Sequence, residues 1–524
     1  MSDSFTLPSL SVPEPRWLQL HERPNAIAAL IIGFTLLRLV MAATVPLMPQ
    51  EAYYWQWSRH LDWSYFDHPP MVAYGIALTT ALFGQTAFAI KLAAVLWALA
   101  WNLLWARLVL DMFGSRRLAF WSLLALNLTV IYQAHGAGPT PDTPLIFGWV
   151  GVIWAVWRAS ASGQGRWWLL AGVFAGLAML SKYSAVLLLP VVLLYLLLSP
   201  QQRHWLRSPW PYLAVAIAAL LFSPVIWWNA QHDWVSFTFQ SSRRVGQMAQ
   251  FKPRNFLVLV GTQMLMVTPY LLVLAMVAML RGLRDGFAGR LDDRMRLLII
   301  SGALPVIFFS LVSFRSVVKL NWLAPAYWSL IVLAMHHLLS RADGMRRVAL
   351  GLASSAALVL LMFVVMAVPN LPLGNLNTWS GWQDAADAAE RVAQPLRDQG
   401  IKTFVFAPNY KTSSLLRFHL PGQPRTYAQD IFGRRALQYD YFPPAGDLKG
   451  ATGILVRSDH LQNRLDLKRV EAWFDACEPA EVVKTMGFGR VARRVEVYRC
   501  SNYKGHPHVD PTTGSNDNTD EDGE

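Results

Sequence analysis

Apolar and polar positions in this chain are arranged in long blocks. Eleven apolar runs, at about 25–47, 86–110, 117–134, 143–158, 167–181, 183–199, 210–229, 255–280, 297–313, 321–339 and 347–368, are separated by polar connections. A helix that spans a bilayer needs roughly 20 mostly apolar residues. The pattern therefore predicts a mainly α, polytopic transmembrane bundle of about 11 spans over residues 25–368, preceded by a cytoplasmic segment, 1–24. The fourth to sixth runs are short, so that stretch admits another division. The first run is long enough to span and lacks a small-residue cleavage site, so it reads as a helix and not as a signal peptide. A further apolar segment, 71–83, is too short to span and is expected at the interface or re-entering.

Beyond residue 368 the blocks give way to mixed, charged sequence. Residues 382–397 have the spacing of an amphipathic helix and 465–474 that of another, while 402–407, 453–456 and 495–499 read as strands. This is a small α/β domain over 369–505, followed by a polar, acidic tail, 506–524, with no apolar anchor and the composition of a disordered segment.

Composition sharpens the membrane reading. Charged residues are 15% of the chain and hydrophobic residues 54%, against about 25% charged in soluble domains. The net charge is +13, but the Lys and Arg are scattered between apolar runs, which excludes the basic stripe of a nucleic-acid-binding protein. Their distribution orients the bundle. Arg116, Arg117, Arg158, Arg166, Arg203, Arg207 and the group from Arg281 to Arg296 all fall in connections on one side, which the positive-inside rule makes cytoplasmic. The opposite connections are poorer in basic residues, except 230–254, with Arg243, Arg244, Lys252 and Arg254. An odd number of spans then places the first loop, 48–85, and the α/β domain outside, at the periplasmic face of a bacterial inner membrane. A disulfide is permitted there; Cys477 and Cys500 either form one, worth on the order of 3 kcal/mol for a loop of about 24 residues, or stay as two buried thiols.

Candidate chemistry concentrates on that outer side. The first loop carries Glu51 directly after the first span, aromatic residues at 53, 54, 55 and 57 that suit a helix at the headgroup level, and then Asp67 and His68 before two prolines. Carboxylates beside a membrane are costly unless they face water, a cation or a substrate. Lys91 begins the second span, where a lone lysine more often snorkels. Asp142 stands in Gly138-Pro139-Thr140-Pro141-Asp142-Thr143-Pro144, a setting that also suits helix capping. Lys182 separates two apolar runs, and Lys319 and Asn321 open the tenth. Glu51, Asp67, His68, Asp142, Lys182 and Lys319 all fall on one face, an arrangement suited to acid–base chemistry on a phosphate-bearing lipid.

Gln50-Glu51-Ala52-Tyr53-Tyr54-Trp55, followed by Phe66-Asp67-His68-Pro69-Pro70, resembles the first outer loop of the GT-C membrane glycosyltransferases related to aminoarabinose transferase and protein O-mannosyltransferases. Lys91, Asp142-Thr143-Pro144-Leu145, Lys182 and Lys319-x-Asn321-Trp322-x-x-Pro325 recur in matching order, so the resemblance covers roughly 25–340. It implies transfer of a sugar, with inversion, from a polyprenyl (undecaprenyl) phosphate donor to a periplasmic acceptor: lipid A, lipopolysaccharide or another envelope glycan. It implies Glu51, Asp142 and Asp67 as the carboxylates of the reaction. Lys182, Lys319, His68, Tyr54, Lys91, Arg243, Arg244 and Asn321 are then the residues at the lipid phosphate and sugar. Asp67 and His68 also leave room for a divalent metal, and no other cofactor is called for. The chain departs from the family at Gln50, where an acid is usual. Either Glu51 takes that role, or the acceptor is already an anion and needs little deprotonation. Two other functions compete. A protein Ser/Thr acceptor would keep the chemistry. A lipid-linked sugar flippase would instead place its polar residues near mid-membrane.

Overall fold

The computed structural model describes residues 20–248, 250–341, 344–443, 446–459 and 467–505, without the side chains of 242–248 and 375. The acidic tail and most of the N-terminal segment lie outside these residues.

The fold is mainly helical, with a C-terminal mixed β-sheet domain. Each of the eleven apolar runs becomes a helix or a bent helix pair. Six helices are long and apolar enough to cross a membrane: Ala26–Thr44, Ala87–Phe113, Asp142–Ser162, Trp210–Gln231, Asp293–Ser313 and Gly344–Ala367. Two bent helix pairs, each a broken span or a re-entrant loop, pass the same test together and bring the count to at most eight among the described residues. Arg116–Asn127 and Val130–Ala137 meet at 74°, and Pro253–Val267 and Pro269–Phe287 at 111°. The run at 255–280 is therefore broken and not one continuous span. Its break falls at Thr268, held at φ +74° before a proline, and proline removes a helical N–H while disfavouring helix at the preceding residue. The remaining runs form the shorter helices Arg166–Met179, Tyr183–Leu198 and Ala324–Leu339, and the 71–83 segment is the helix Met71–Phe83.

Small residues set the closest helix approaches, as expected where apolar lipid gives helices little hydrophobic reason to associate. A Cβ on Gly172 would lie 2.6 Å from the Ala214 carbonyl oxygen. The core between the helices is built from Trp101, Trp105, Trp149, Trp168 and Trp328, all buried.

The C-terminal sheet has five strands: β1 (Thr403–Phe406), β2 (Thr426–Tyr427), β3 (Thr452–Ser458), β4 (Ala476–Gly487) and β5 (Arg490–Ser501). Their order is β2-β1-β3-β5-β4. β1 runs parallel to β2 and β3, with Val405 opposite Ile454, whereas β5 is antiparallel to both neighbours. The first helix of the domain, Trp382–Asp398, matches the amphipathic segment, and its alanines 385, 386, 388, 389 and 393 pack onto the sheet. The segment 465–474 holds only the short helix Leu467–Glu471 within the described residues. β4 had no counterpart in the strand pattern. Cys477 and Cys500 are directly opposed on β4 and β5 and are joined by a disulfide.

The sheet domain sits on the first loop, which corrects one expectation. The aromatic side chains of the helix Pro49–Ser58 are packed in protein and are not presented to lipid headgroups. Tyr53, Tyr54, Trp55 and Trp57 are all buried. The helix Tyr410–His419 packs on two of them, with ring centroids 4.4 Å apart for Tyr53 and Tyr410 and 5.4 Å for Trp55 and Phe418, while Trp57 stacks on Tyr65 of the same loop. The same apolar faces that suit lipid headgroups suit a protein lid, and here the sheet domain supplies it.

Candidate active site

One end of the bundle collects the polar residues. Glu51 lies in the first turn of Pro49–Ser58, a helix that starts at once after the first span because Pro49 suits a first helical position. The Met48 N–H donates to Glu51 Oε2 at 2.9 Å, closing that turn. Lys91, one turn into Ala87–Phe113, donates from Nζ to Glu51 Oε1 at 2.9 Å and Oε2 at 2.7 Å. Both are buried, so Lys91 does not snorkel but compensates a carboxylate that could not remain charged alone. Gly138 makes the approach feasible: a Cβ there would collide with Glu51 Oε1.

A second pair lies beside it. Asp142 is the first residue of the helix Asp142–Ser162, with Pro141 in the capping position before it. It accepts from Lys182 Nζ at 2.7 and 2.8 Å and from Asn321 Nδ2 at 2.5 Å. Lys182 stands at the break between Arg166–Met179 and the following helix. Asn321 precedes Ala324–Leu339, so three separate helix ends meet on one carboxylate.

A cavity of about 290 Å³ opens at this end, lined among others by Gln50, Glu51, Lys91, His135, Thr140 and Asn321. Met41, Val45, Met362 and Met366 form an apolar side. Its exposed surface is almost wholly apolar, with the Lys91–Glu51 pair and the amides of Gln50 and Asn321 set into the wall. Such a space can take a polar head attached to a lipid chain.

The other expected residues are placed as follows. Tyr54 is buried and its hydroxyl accepts from Gln50 Nε2 at 3.2 Å, one turn behind the cavity. Asp67 lies beside Tyr53, whose hydroxyl donates to Asp67 Oδ1 at 3.2 Å and accepts the Gln438 N–H at 3.1 Å. Burial, and then the Asp67 carboxylate, pushes the Tyr53 phenol well above its ordinary range, so it stays protonated and keeps that donor role. The Gln438 side chain also accepts the Phe66 N–H at 2.7 Å, so the sheet domain grips the acidic loop at two points. His68 follows Asp67, with its ring 6.5 Å from that of Tyr54. Among the described residues no three His, Cys, Asp or Glu side chains gather as metal ligands, so Asp67 and His68 supply two donors without a third. Lys319 is exposed beside Leu320 and Asn321, which line the cavity. The basic loop forms the helix Val235–Met248, and its Gln240 donates to the Asp67 carbonyl at 2.9 Å. The Arg243 and Arg244 side chains lie outside the described residues.

Residue-by-residue reading of the sequence missed His135, Gly138 and Arg38. His135 lines the cavity; its Nδ1 is 3.0 Å from Thr140 Oγ1, and its Nε2 has no hydrogen-bond partner among the described residues. It falls at the end of an apolar run, where periodicity marks it as core. The signal was the Gly-Pro-Thr-Pro turn that follows, which folds the end of one helix against the start of the next. Arg38 is fully buried in the first span, donating to Asn127 Oδ1 at 2.7 Å.

A bundle of this kind, with paired carboxylates and lysines at one end under an α/β domain, has the architecture of the GT-C membrane glycosyltransferases. Residues 67–228 match the family model described as dolichyl-phosphate-mannose-protein mannosyltransferase, in line with the resemblance to GT-C glycosyltransferases seen in the first loop. The chain is 28% identical to the lipid A galacturonosyltransferase RgtD of Rhizobium johnstonii over 317 residues, 60% of this chain and 65% of that protein. It is 31% identical over 235 residues, 40% of this chain, to the undecaprenyl phosphate-α-4-amino-4-deoxy-L-arabinose arabinosyl transferase of Pseudomonas aeruginosa. The match spans 41% of that relative, so in both cases it covers less than two thirds of the relative's length. In fold the chain is similar to ArnT of Cupriavidus metallidurans bound to undecaprenyl phosphate, with a TM-score of 0.60 at 17% identity, covering 93% of this chain and 100% of that one.

Proposed function

We propose that this chain is an inverting glycosyltransferase that moves a sugar from undecaprenyl phosphate to lipid A, or to another membrane lipid or envelope glycan, at the periplasmic face of a bacterial inner membrane. The observation that carries this reading is the Glu51–Lys91 pair, buried in the wall of a largely apolar cavity at the end of the bundle. The names of the relatives point to the same donor and acceptor classes. The proposed topology counts the three shorter helices and both bent pairs as crossings, eleven in all, with residues 1–24 cytoplasmic and the 369–505 domain periplasmic.

In the reaction, an acceptor oxygen attacks the anomeric carbon from the face opposite the phosphate. The bond between that carbon and the phosphate oxygen breaks, and its electron pair leaves with the phosphate. Lys91 is the cation nearest to hand for that phosphate, and a fixed cation in a dry site lowers the barrier more than water does. Drawing Lys91 toward phosphate loosens it from Glu51, which frees that carboxylate to orient the acceptor and, for a hydroxyl acceptor, to take its proton. Gln50 in place of an acid removes one repulsive charge near two anions and adds an amide donor. That suits an acceptor that is already a phosphate, such as lipid A. Asp142 and Lys182 fix Asn321 at the cavity wall. Lys319 and His68 are assigned to attracting the anionic head groups, Arg243 and Arg244 to the same task on the charge of their loop alone, and Asp67 to orientation through Tyr53.

Mass spectrometry of lipid A, core oligosaccharide and envelope glycoproteins from a strain lacking the gene tests this. Loss of one sugar residue from lipid A supports the proposal and names the sugar. Unchanged lipid A and core with a sugar missing from periplasmic proteins would replace it with the protein-acceptor reading.

A further inference from the structure

We propose that the tip of the β4–β5 hairpin seats in the bilayer surface beside the last membrane helix, with Phe488 as its apolar anchor and the lipid headgroup layer as its partner. The inference rests on the reading of Gly344–Ala367 as a membrane span.

Position comes first. Asn370 follows that helix by three residues, and its Nδ2 donates to the Met486 carbonyl at 3.5 Å. Gly487 packs so closely on the Asn370 carbonyl that a Cβ there would collide with it. The hairpin tip therefore lies at the level where the helix leaves the membrane.

The surface at that level is apolar. Phe488 is 73% exposed, Met486 52% and Val491 43%, and Leu376, on the connection from the helix, is 77% exposed. The turn itself adds an independent observation. Phe488 and Gly489 both have positive φ, +51° and +72°, as a two-residue hairpin turn of the mirror-image kind requires. Such turns favour Asn, Asp or Gly, and a bulky aromatic residue is strained there. Within the protein, the exposed Phe488 ring gains no packing to offset that strain. An apolar layer outside the protein supplies it, because strained residues persist where function holds them.

The charges are ordered by depth. Lys484 on β4 pairs with Arg494 on β5, and both are exposed. They stand two positions behind Met486, about 7 Å along the strand. An apolar face buried about 5–10 Å into the headgroup boundary would bring them to the anionic lipid phosphates. Arg490, beside the tip, has the length to snorkel to the same level. Seating the tip fixes the height of the sheet domain, and with it the Gln438 contacts that hold Tyr53 and Phe66.

The test places the photoreactive residue p-benzoylphenylalanine singly at 488, 360 and 478 in the full-length protein. The variants are reconstituted in vesicles of phosphatidylethanolamine and phosphatidylglycerol, irradiated, and analysed for lipid adducts by mass spectrometry. Leu360 is a lipid-facing candidate in the last span, and Glu478 lies at the far end of the hairpin; both are exposed. The proposal expects lipid adducts at 488 and 360 and none at 478. Adducts at 360 without any at 488, or equal yields at 488 and 478, would overturn it. Failure at 360 as well would overturn the membrane span on which it rests. The Phe488 replacement is close in shape to the native residue, so misfolding is not expected, and thermal unfolding in detergent checks it.

Discussion

Two buried ion pairs stand at the same end of the bundle, and they differ in one respect. In each the carboxylate and lysine are 40 residues apart in sequence and within 2.7–2.9 Å in space. Side-chain exposure hardly separates them, at 3% and 6% for Lys91 and Glu51 against 8% and 1% for Lys182 and Asp142. What separates them is the neighbour. Glu51 and Lys91 line the cavity, whereas Asp142 and Lys182 stand behind lining residues such as Asn321 and His135. A pair facing a cavity can exchange partners with a ligand. A pair packed between three helix ends has its geometry fixed, and its removal is felt as stability. Burial of charge alone thus does not identify the reacting group; access does.

The largest expected effect breaks the packed pair. Lys182→Ala leaves Asp142 buried without its cation, a loss on the order of 3–5 kcal/mol. Thermal unfolding in detergent should show a lower Tm, with transfer activity lost along with the fold but membrane insertion retained. An unchanged Tm would make this pair dispensable and dissolve the contrast. Next comes Gly138→Ala, which introduces a methyl group into the space held by Glu51 Oε1. Transfer should fall by roughly 10²-fold, the scale for misplacing a reacting group by about 1 Å, with only a modest change in Tm. Full activity would show that Glu51 need not stay in this position.

The smallest effect lies in the sheet domain, away from both pairs. Burial, with Asp430 adding repulsion, pushes the Asp440 carboxyl up to about 7 from its ordinary 3.8. Between those values the folded state binds more protons than the unfolded one, so stability should decline as pH rises from about 4 to 7 and level off above. Asp440→Asn should flatten that decline in a pH series of thermal unfolding curves; an unaltered slope would assign the pH dependence elsewhere.

Much of the bundle was legible because apolar blocks of spanning length have few other uses. The gathering of Glu51, Lys91, Asp142, Lys182 and Asn321 at one end was legible too, since each sits at the edge of a block on the same side. Their partners were not. Which lysine meets which carboxylate depends on how helices distant in sequence pack, and the pattern along one helix carries no such information. Lys91 looked like a snorkelling residue for that reason. The aromatic helix was misplaced because a headgroup layer and a protein lid select the same residues. The break at Thr268 was signalled by the following proline but masked by the apolar residues on both sides.

The most direct measurement is transfer of sugar from undecaprenyl phosphate to lipid A by the purified full-length protein in proteoliposomes, wild type against Glu51→Gln. The substitution keeps size and hydrogen-bonding capacity but removes the charge opposite Lys91. The account predicts that transfer is lost, by about 10²-fold or more, while the protein remains folded and inserted. Wild-type rates from the Glu51→Gln protein would contradict it.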